Sequence, residues 1–146
     1  MKVVASNRRA RYDYDILETV EAGMMLSGPE AKSCRMGHVN LAGAYVSFLG
    51  GRPVLKQAAI SPYPFAHQGS DYDPKRDREL LLHRKEVERL ASLTAEKGVT
   101  LIPLEVRAGR YIKVALGVAR GRKQVDKRRA IREREVDRKL RRGDEV

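Results

Sequence analysis

The chain has 146 residues, with 30 Lys and Arg against 19 Asp and Glu, giving a formal net charge of +11 and a pI near 10.1. No run approaches the ~18 consecutive apolar residues of a membrane-spanning helix, and Cys34, the only cysteine, excludes an internal disulfide scaffold. The first nine residues lack the apolar stretch of a secretory signal, so a cytoplasmic home is expected, and the charge points to a polyanionic partner, nucleic acid before anionic membrane.

Taken in order, Tyr12, Tyr14, Ile16 and Val20 fall at even positions with Asp13, Asp15 and Thr19 between them, the period of a half-buried strand. Residues 22–27 predict a further short strand. Ser27-Gly28-Pro29-Glu30 is a helix start, because Pro is tolerated in the first turn and Glu favours the positive end of the dipole. That helix is predicted to run to about Met36 and stop at Gly37. Residues 39–49 form another strand candidate, and Gly50-Gly51 turns it into a partner over 53–60. Residues 61–79 hold Pro62, Pro64 and Pro74 without periodicity, and a connection longer than ~12–15 residues is usually functional or disordered. A second helix is predicted over 84–97, with Val87, Leu90, Ala91 and Thr94 on one face and Gly98 at its end. Ile102, Leu104 and Val106 share a face, Ala108-Gly109 turns, and Ile112, Val114 and Leu116 share the answering face. About six short antiparallel strands with short helices predict a mainly β, α+β chain folded as a small closed or partly open barrel.

The charge is unevenly placed. Residues 1–119 carry a net +5, whereas residues 120–146 hold 12 basic and 6 acidic side chains, a net +6. This predicts a globular body over residues 7–119 and a basic C-terminal tail over 120–146. The tail has helix formers and favourable Glu135–Lys139 and Asp137–Arg141 pairs. It lacks a continuous apolar stripe, which argues against a membrane-surface role, and Arg128/Arg132 and Arg134/Arg138 repel. It reads as disordered, or as helical when bound to a polyanion that neutralises those repulsions.

Catalytic chemistry finds little to use. His38, His67 and His83 lie far apart with no ligand partners at zinc spacing, and His83 is expected to cap or pack at a helix start. Cys34 reads as a small packed residue. Residues 117–123 lack the GK[ST] ending of a phosphate loop. Asp71 and Asp73, beside Pro74, read as turn chemistry; they are the only start a rival nuclease reading has. No catalytic residue, metal or cofactor is assigned. The basic clusters are more informative: Arg8-Arg9-x-Arg11, Lys32 with Arg35, Lys75-Arg76-x-Arg78, Lys113, and Arg120-x-Arg122-Lys123. Five on one small β body point to phosphate contact, because such contacts add. With six Tyr, two Phe and no Trp, recognition of folded RNA by shape and backbone is expected over stacking on single strands. Glu30 is expected to support this surface. A first-turn carboxylate can accept from free backbone N–H groups or orient Lys32 or Arg35; alternatively it accepts from a base amino group or a ribose hydroxyl.

Several segments occur in a recognisable order: Asn7-Arg8-Arg9-Ala10-Arg11-Tyr12-Asp13-Tyr14, then Gly28-Pro29-Glu30-Ala31-Lys32-Ser33-Cys34-Arg35-Met36-Gly37, then Asp73-Pro74-Lys75-Arg76-Asp77-Arg78-Glu79-Leu80-Leu81-Leu82-His83, then Leu116-Gly117-Val118-Ala119-Arg120-Gly121-Arg122-Lys123. Asp126-Lys127-Arg128 and Arg132-Glu133-Arg134-Glu135 follow. From about Asn7 to Glu135 the chain closely resembles the bacterial SsrA-binding (SmpB) family. The resemblance implies an OB-like β-barrel without catalytic activity. It implies binding to the tRNA-like domain of transfer-messenger RNA and delivery to stalled ribosomes in trans-translation, with elongation factor Tu in the delivery complex. The tail would occupy the empty mRNA channel near the small-subunit decoding centre. Carried over by position, Asn7, Arg8, Arg9, Arg11, Glu30, Lys32, Ser33, Arg35, Lys75, Arg76, Arg78, Leu82, His83, Lys113, Arg120, Gly121, Arg122 and Lys123 would serve RNA binding by the body. Asp126, Lys127, Arg128, Arg129, Arg132 and Glu133 would serve the ribosome-binding tail. A monomer without membrane contact is expected; a ribosomal or general OB-fold RNA-binding protein is the alternative within the binding class. Ala31 and Cys34 stand where larger aliphatic residues are common in the family, which predicts a softer core under the first helix.

Overall fold

The computed structural model describes residues 1–65 and 71–121. The elements are β1 (Lys2–Ser6), α1 (Ala10–Asp13), β2 (Tyr14–Met24), α2 (Gly28–Arg35), β3 (Val39–Asn40), β4 (Tyr45–Leu49), β5 (Arg52–Lys56), β6 (Ala59–Ile60), β7 (Arg78–Leu81), α3 (Arg84–Thr94), β8 (Val99–Ala108) and β9 (Ile112–Gly121). Antiparallel pairing runs β8–β4–β5–β7–β2–β9, and β9 pairs back onto β8. Six strands thus close a ring, the OB-like architecture expected. β1 extends along β8, and β3 with β6 forms a separate two-stranded ladder.

Membership of the ring departs from the sequence reading in instructive places. Residues 22–24 are the end of β2 and not a separate strand. The ring takes β7 instead, from the end of the segment predicted to be an irregular connection. Tyr12 lies in the short α1, and the first residues form β1. The candidate over 39–49 splits at a turn where the Asn40 side chain accepts from Ala42 N at 2.9 Å. The 53–60 candidate splits at Gln57, whose φ of 65° takes it out of extended geometry. The Gly50-Gly51 turn stands as read: both φ values are positive, 58° and 79°, and Leu49 pairs with Arg52 across it.

Two bulges decide where the core sits. In β8 the pairing steps from Pro103↔Leu116 to Glu105↔Ala115, leaving Leu104 as the extra residue. An extra residue inverts the in–out alternation beyond it. Ile102 and Leu104 therefore face one apolar cluster and Val106 the other, so the three do not share a face as predicted. β2 does the same at Leu17, which is exposed: Tyr14 and Ile16 pack on the smaller cluster and Val20 on the main core. On β9 the alternation is unbroken. Ile112, Val114, Leu116 and Val118 enter the main core, while Ala115 and Ala119 meet Ala10 of α1 on the opposite side. Asn7 closes the bulge, with its N–H on Leu104 O at 2.7 Å and its Nδ2 on Pro103 O at 3.0 Å.

Cys34 is fully buried, and burial pushes its thiol up to about 12, which keeps it protonated and inert. No helix among the described residues is long and apolar enough to cross a membrane. The predicted helix over 84–97 is α3, ending three residues early with Ala95 as its cap. Its single fully buried residue is Leu90. Leu90→Ala is expected to cost ~2–5 kcal/mol by urea denaturation, with the loss concentrated in faster amide exchange along α3.

Candidate nucleic-acid interface

α2 begins as its sequence dictates. Ser27 caps it, with Glu30 N donating to Ser27 Oγ at 3.3 Å and Ser27 N donating to Glu30 Oε1 at 3.0 Å. The Glu30 carboxylate is 1% exposed and gathers further donors. Arg76 donates through Nε to Oε2 at 2.9 Å and through Nη2 to Oε1. Arg78, with no exposed surface, donates to Oε2 from Nη2 at 2.8 Å and from Nε at 3.2 Å, and its Nη1 reaches Ala58 O at 2.7 Å. The Tyr72 hydroxyl accepts from Arg78 Nη2 and shares its one proton between Ile60 O and Glu30 Oε2. Burial alone pushes the Glu30 carboxyl up, but the bonds from Arg76, the Ser27 backbone and Arg78 outweigh it and hold the pKa at about 2.

The expected support role of Glu30 therefore holds in its capping half. The cations it orients are Arg76 and Arg78, not Lys32 or Arg35, and no base or ribose can reach it. Two other candidates are corrected by burial: Arg78 and Ser33 are both 0% exposed and present no surface to a bound RNA. Glu30 draws Arg78 inward, whereas Ser33 lies on the buried face of α2 with its Oγ making no hydrogen bond among the described residues.

Three groups of the remaining candidates lie at the surface. Arg8 and Arg11 line a cavity of about 330 Å³ with Asn7 and Arg107, and Arg9 is exposed, 3.9 Å from Asp13. Lys32 and Arg35 are exposed on α2, and Arg35 also donates to the carbonyls of Gly109 at 2.7 Å and Arg110 at 3.1 Å. Lys75 is exposed where Asp73 Oδ1 accepts from Lys75 N at 2.9 Å, so the turn reading of this Asp stands.

Leu82, His83 and Lys113 meet in a groove of about 800 Å³ between β2, β7 and the start of α3. His83 occupies the N-cap position of α3 but makes no side-chain cap bond. The groove also holds Arg52, Glu21, Glu79 and Glu86, none of them singled out from sequence. Lys113 sits 3.2 Å from Glu21 and, with Arg107 at 3.0 Å, holds the Glu21 carboxyl below its usual range. The groove is consequently mixed in charge and not a plain phosphate track. Arg120 is exposed and 3.3 Å from Glu96, and Gly121 ends β9. Arg122, Lys123, Asp126, Lys127, Arg128, Arg129, Arg132 and Glu133, together with His67, lie outside the described residues.

The family model described as SmpB protein matches residues 4–145. The chain belongs to the SmpB family. An SsrA-binding protein of Synechococcus sp. (strain JA-2-3B'a(2-13)) is 48% identical over 143 residues, covering 97% of this chain and 93% of the relative. One of Coprothermobacter proteolyticus is 47% identical over 148 residues, covering 100% and 99%. A chain solved in the structure described as "tmRNA-SmpB: a journey to the center of the bacterial ribosome" is 43% identical with a TM-score of 0.69, covering 88% of this chain and 94% of that one. The family resemblance read from the motifs stands.

Glu30 makes stability pH-dependent with a definite sign. Its folded pKa of about 2 lies below the ordinary carboxylate value of 4.5, so its stabilisation is complete above pH ~5 and is lost as pH falls from 4.5 toward 2. The shift corresponds to about 3 kcal/mol. Thermal melts of the wild type should fall through that window. Glu30→Gln should melt lower at pH 7 and lack this component of the acid dependence.

Proposed function

We propose that this chain is the RNA-binding adaptor of trans-translation. Its body binds the tRNA-like domain of transfer-messenger RNA and delivers it to stalled ribosomes, while residues 120–146 probe the empty mRNA channel near the decoding centre. The observation that carries this is the near-full-length match to SsrA-binding proteins on both sides of the alignment. In this reading the chain acts as a cytoplasmic monomer, reaches the ribosome with elongation factor Tu and catalyses nothing itself. Arg8, Arg11, Lys32 and Lys75 hold phosphates: each is exposed and stands without an ion pair among the described residues. Leu82, His83 and Lys113 present the groove, whose carboxylates suit ribose hydroxyls and base amino groups. Glu30, Arg76 and Arg78 hold that surface in shape.

Titration with the tRNA-like RNA across salt tests the body. If roughly 5–8 phosphates are neutralised, log K should fall with log salt at a slope of about −4 to −7. A flat response would reduce the basic clusters to solvated faces. Truncation after Lys123 tests the division: the shortened chain should bind this RNA yet fail to support peptide tagging on stalled ribosomes. Equal loss of both activities would contradict it.

A further inference from the structure

Beside α2 stand two aromatic side chains that the phosphate reading does not use. Phe65 is 81% exposed, the most exposed large apolar side chain among the described residues. Its ring packs edge-to-face on Tyr63, with centroids 5.5 Å apart and planes at 69°. Lys32 Nζ lies over the Tyr63 ring, 5.5 Å from its centroid. A cation from the helix and two rings from the segment after β6 thus form one ladder. Single exposed apolar residues need no explanation, but this one is held in place. Pro62 and Pro64 flank Tyr63 and fix the backbone φ on either side of it. The root of the segment is pinned by Ser61 N on His38 O at 3.0 Å and Ile60 N on Pro74 O at 2.9 Å. Lys75, next along from Pro74, adds a second exposed cation at that root.

We propose that Tyr63, Phe65 and Lys32 form a stacking platform for an unpaired nucleobase of the bound RNA, with the base on the open face of Phe65 and Lys32 meeting its phosphate. This rests on the proposed RNA-binding function and adds to it a site that holds a single-stranded base, which the low aromatic content argued against. An exposed ring already packed on Tyr63 suits the task because it loses less freedom when a base settles on it than an uncontacted ring would, and stacking tolerates any base.

Phe65 separates stacking from charge and from folding, because an exposed side chain can be changed without disturbing the core. Phe65→Leu keeps the apolar character but removes the π-face. It should weaken binding of the tRNA-like RNA by the full chain ~5- to 100-fold with the salt slope unchanged. Phe65→Trp should bind like the wild type, and since the chain has no other Trp, its indole fluorescence should be quenched on saturation with RNA. Wild-type affinity in Phe65→Leu, or an unquenched indole, would overturn the platform and leave this face to a protein partner. Failure of the wild type itself to bind the RNA would instead overturn the proposed function, and the platform with it.

Discussion

Glu30 lies inside the protein with its charge intact; Ser27 at the start of α2 is a local partner, and the others come from a distant stretch of chain, Tyr72 and Arg76 before β7 and Arg78 at the start of β7. A lone buried carboxylate costs several kcal/mol, and removing one member of a buried pair costs ~3–5 kcal/mol because the other is stranded. Here every member is held by several bonds, so the cluster tolerates one arrangement of all three segments. The consequence reaches the ring. β7 joins β5 through Arg78↔Leu55 and Glu79↔Val54, and β2 through Leu80↔Met24 and Leu81↔Gly23. Closure therefore runs through a strand whose first residue is a buried arginine. Gly23 is part of the same fit, since a Cβ there would stand 3.2 Å from Leu81 Cβ.

The same cluster sorts the cations by what they can do. Arg78 is consumed inside, and Arg76 is held by two of its nitrogens. Arg89, Arg107 and Arg120 pair with carboxylates at the surface. Such exposed pairs are worth ~0–1 kcal/mol, so an approaching phosphate can displace a carboxylate partner at little cost. Arg8, Arg11, Lys32 and Lys75 need no displacement. A count of basic residues overstates the phosphate contacts available, because the interior and the surface carboxylates draw on the same supply.

Sequence patterns were legible where one physical requirement acted alone. Ser27-Gly28-Pro29-Glu30 yields a capping box whatever lies around it, and Gly50-Gly51 yields a tight turn. Residues 112–116 alternate because β9 has no bulge. The bulges at Leu17 and Leu104 were not legible, since apolar residues on both sides of β8 leave no polar mark where the alternation inverts. β7 was missed for a related reason. Its burial depends on Arg78 finding Glu30, 48 positions away in sequence, and a charged residue ordinarily reads as surface. In the candidate site, charge alone placed Lys32, Arg35 and Lys75 correctly at the surface. It misplaced Arg78, and the carry-over from the family resemblance misplaced Ser33, because burial is a property of the packed fold. Tyr63 and Phe65 were visible as residues, but their ladder with Lys32 requires the return of the chain past α2.

In the proposed reading, affinity and discrimination are carried by different chemistry. Phosphate contacts add affinity without reading which RNA is bound. The mixed-charge groove lined by Lys113, Glu21, Glu79 and His83 penalises any surface that does not answer its carboxylates. Residues 1–119 carry only +5 of the +11, and the remaining +6 belongs to the last 27 residues. At physiological salt, charges act over a Debye length of ~8 Å. Those 27 residues therefore add attraction only to a polyanion that passes within that range of them. On the proposed division, a body selecting by shape and a basic C-terminal segment following charge are tuned separately, which suits a chain proposed to meet two RNA surfaces at once.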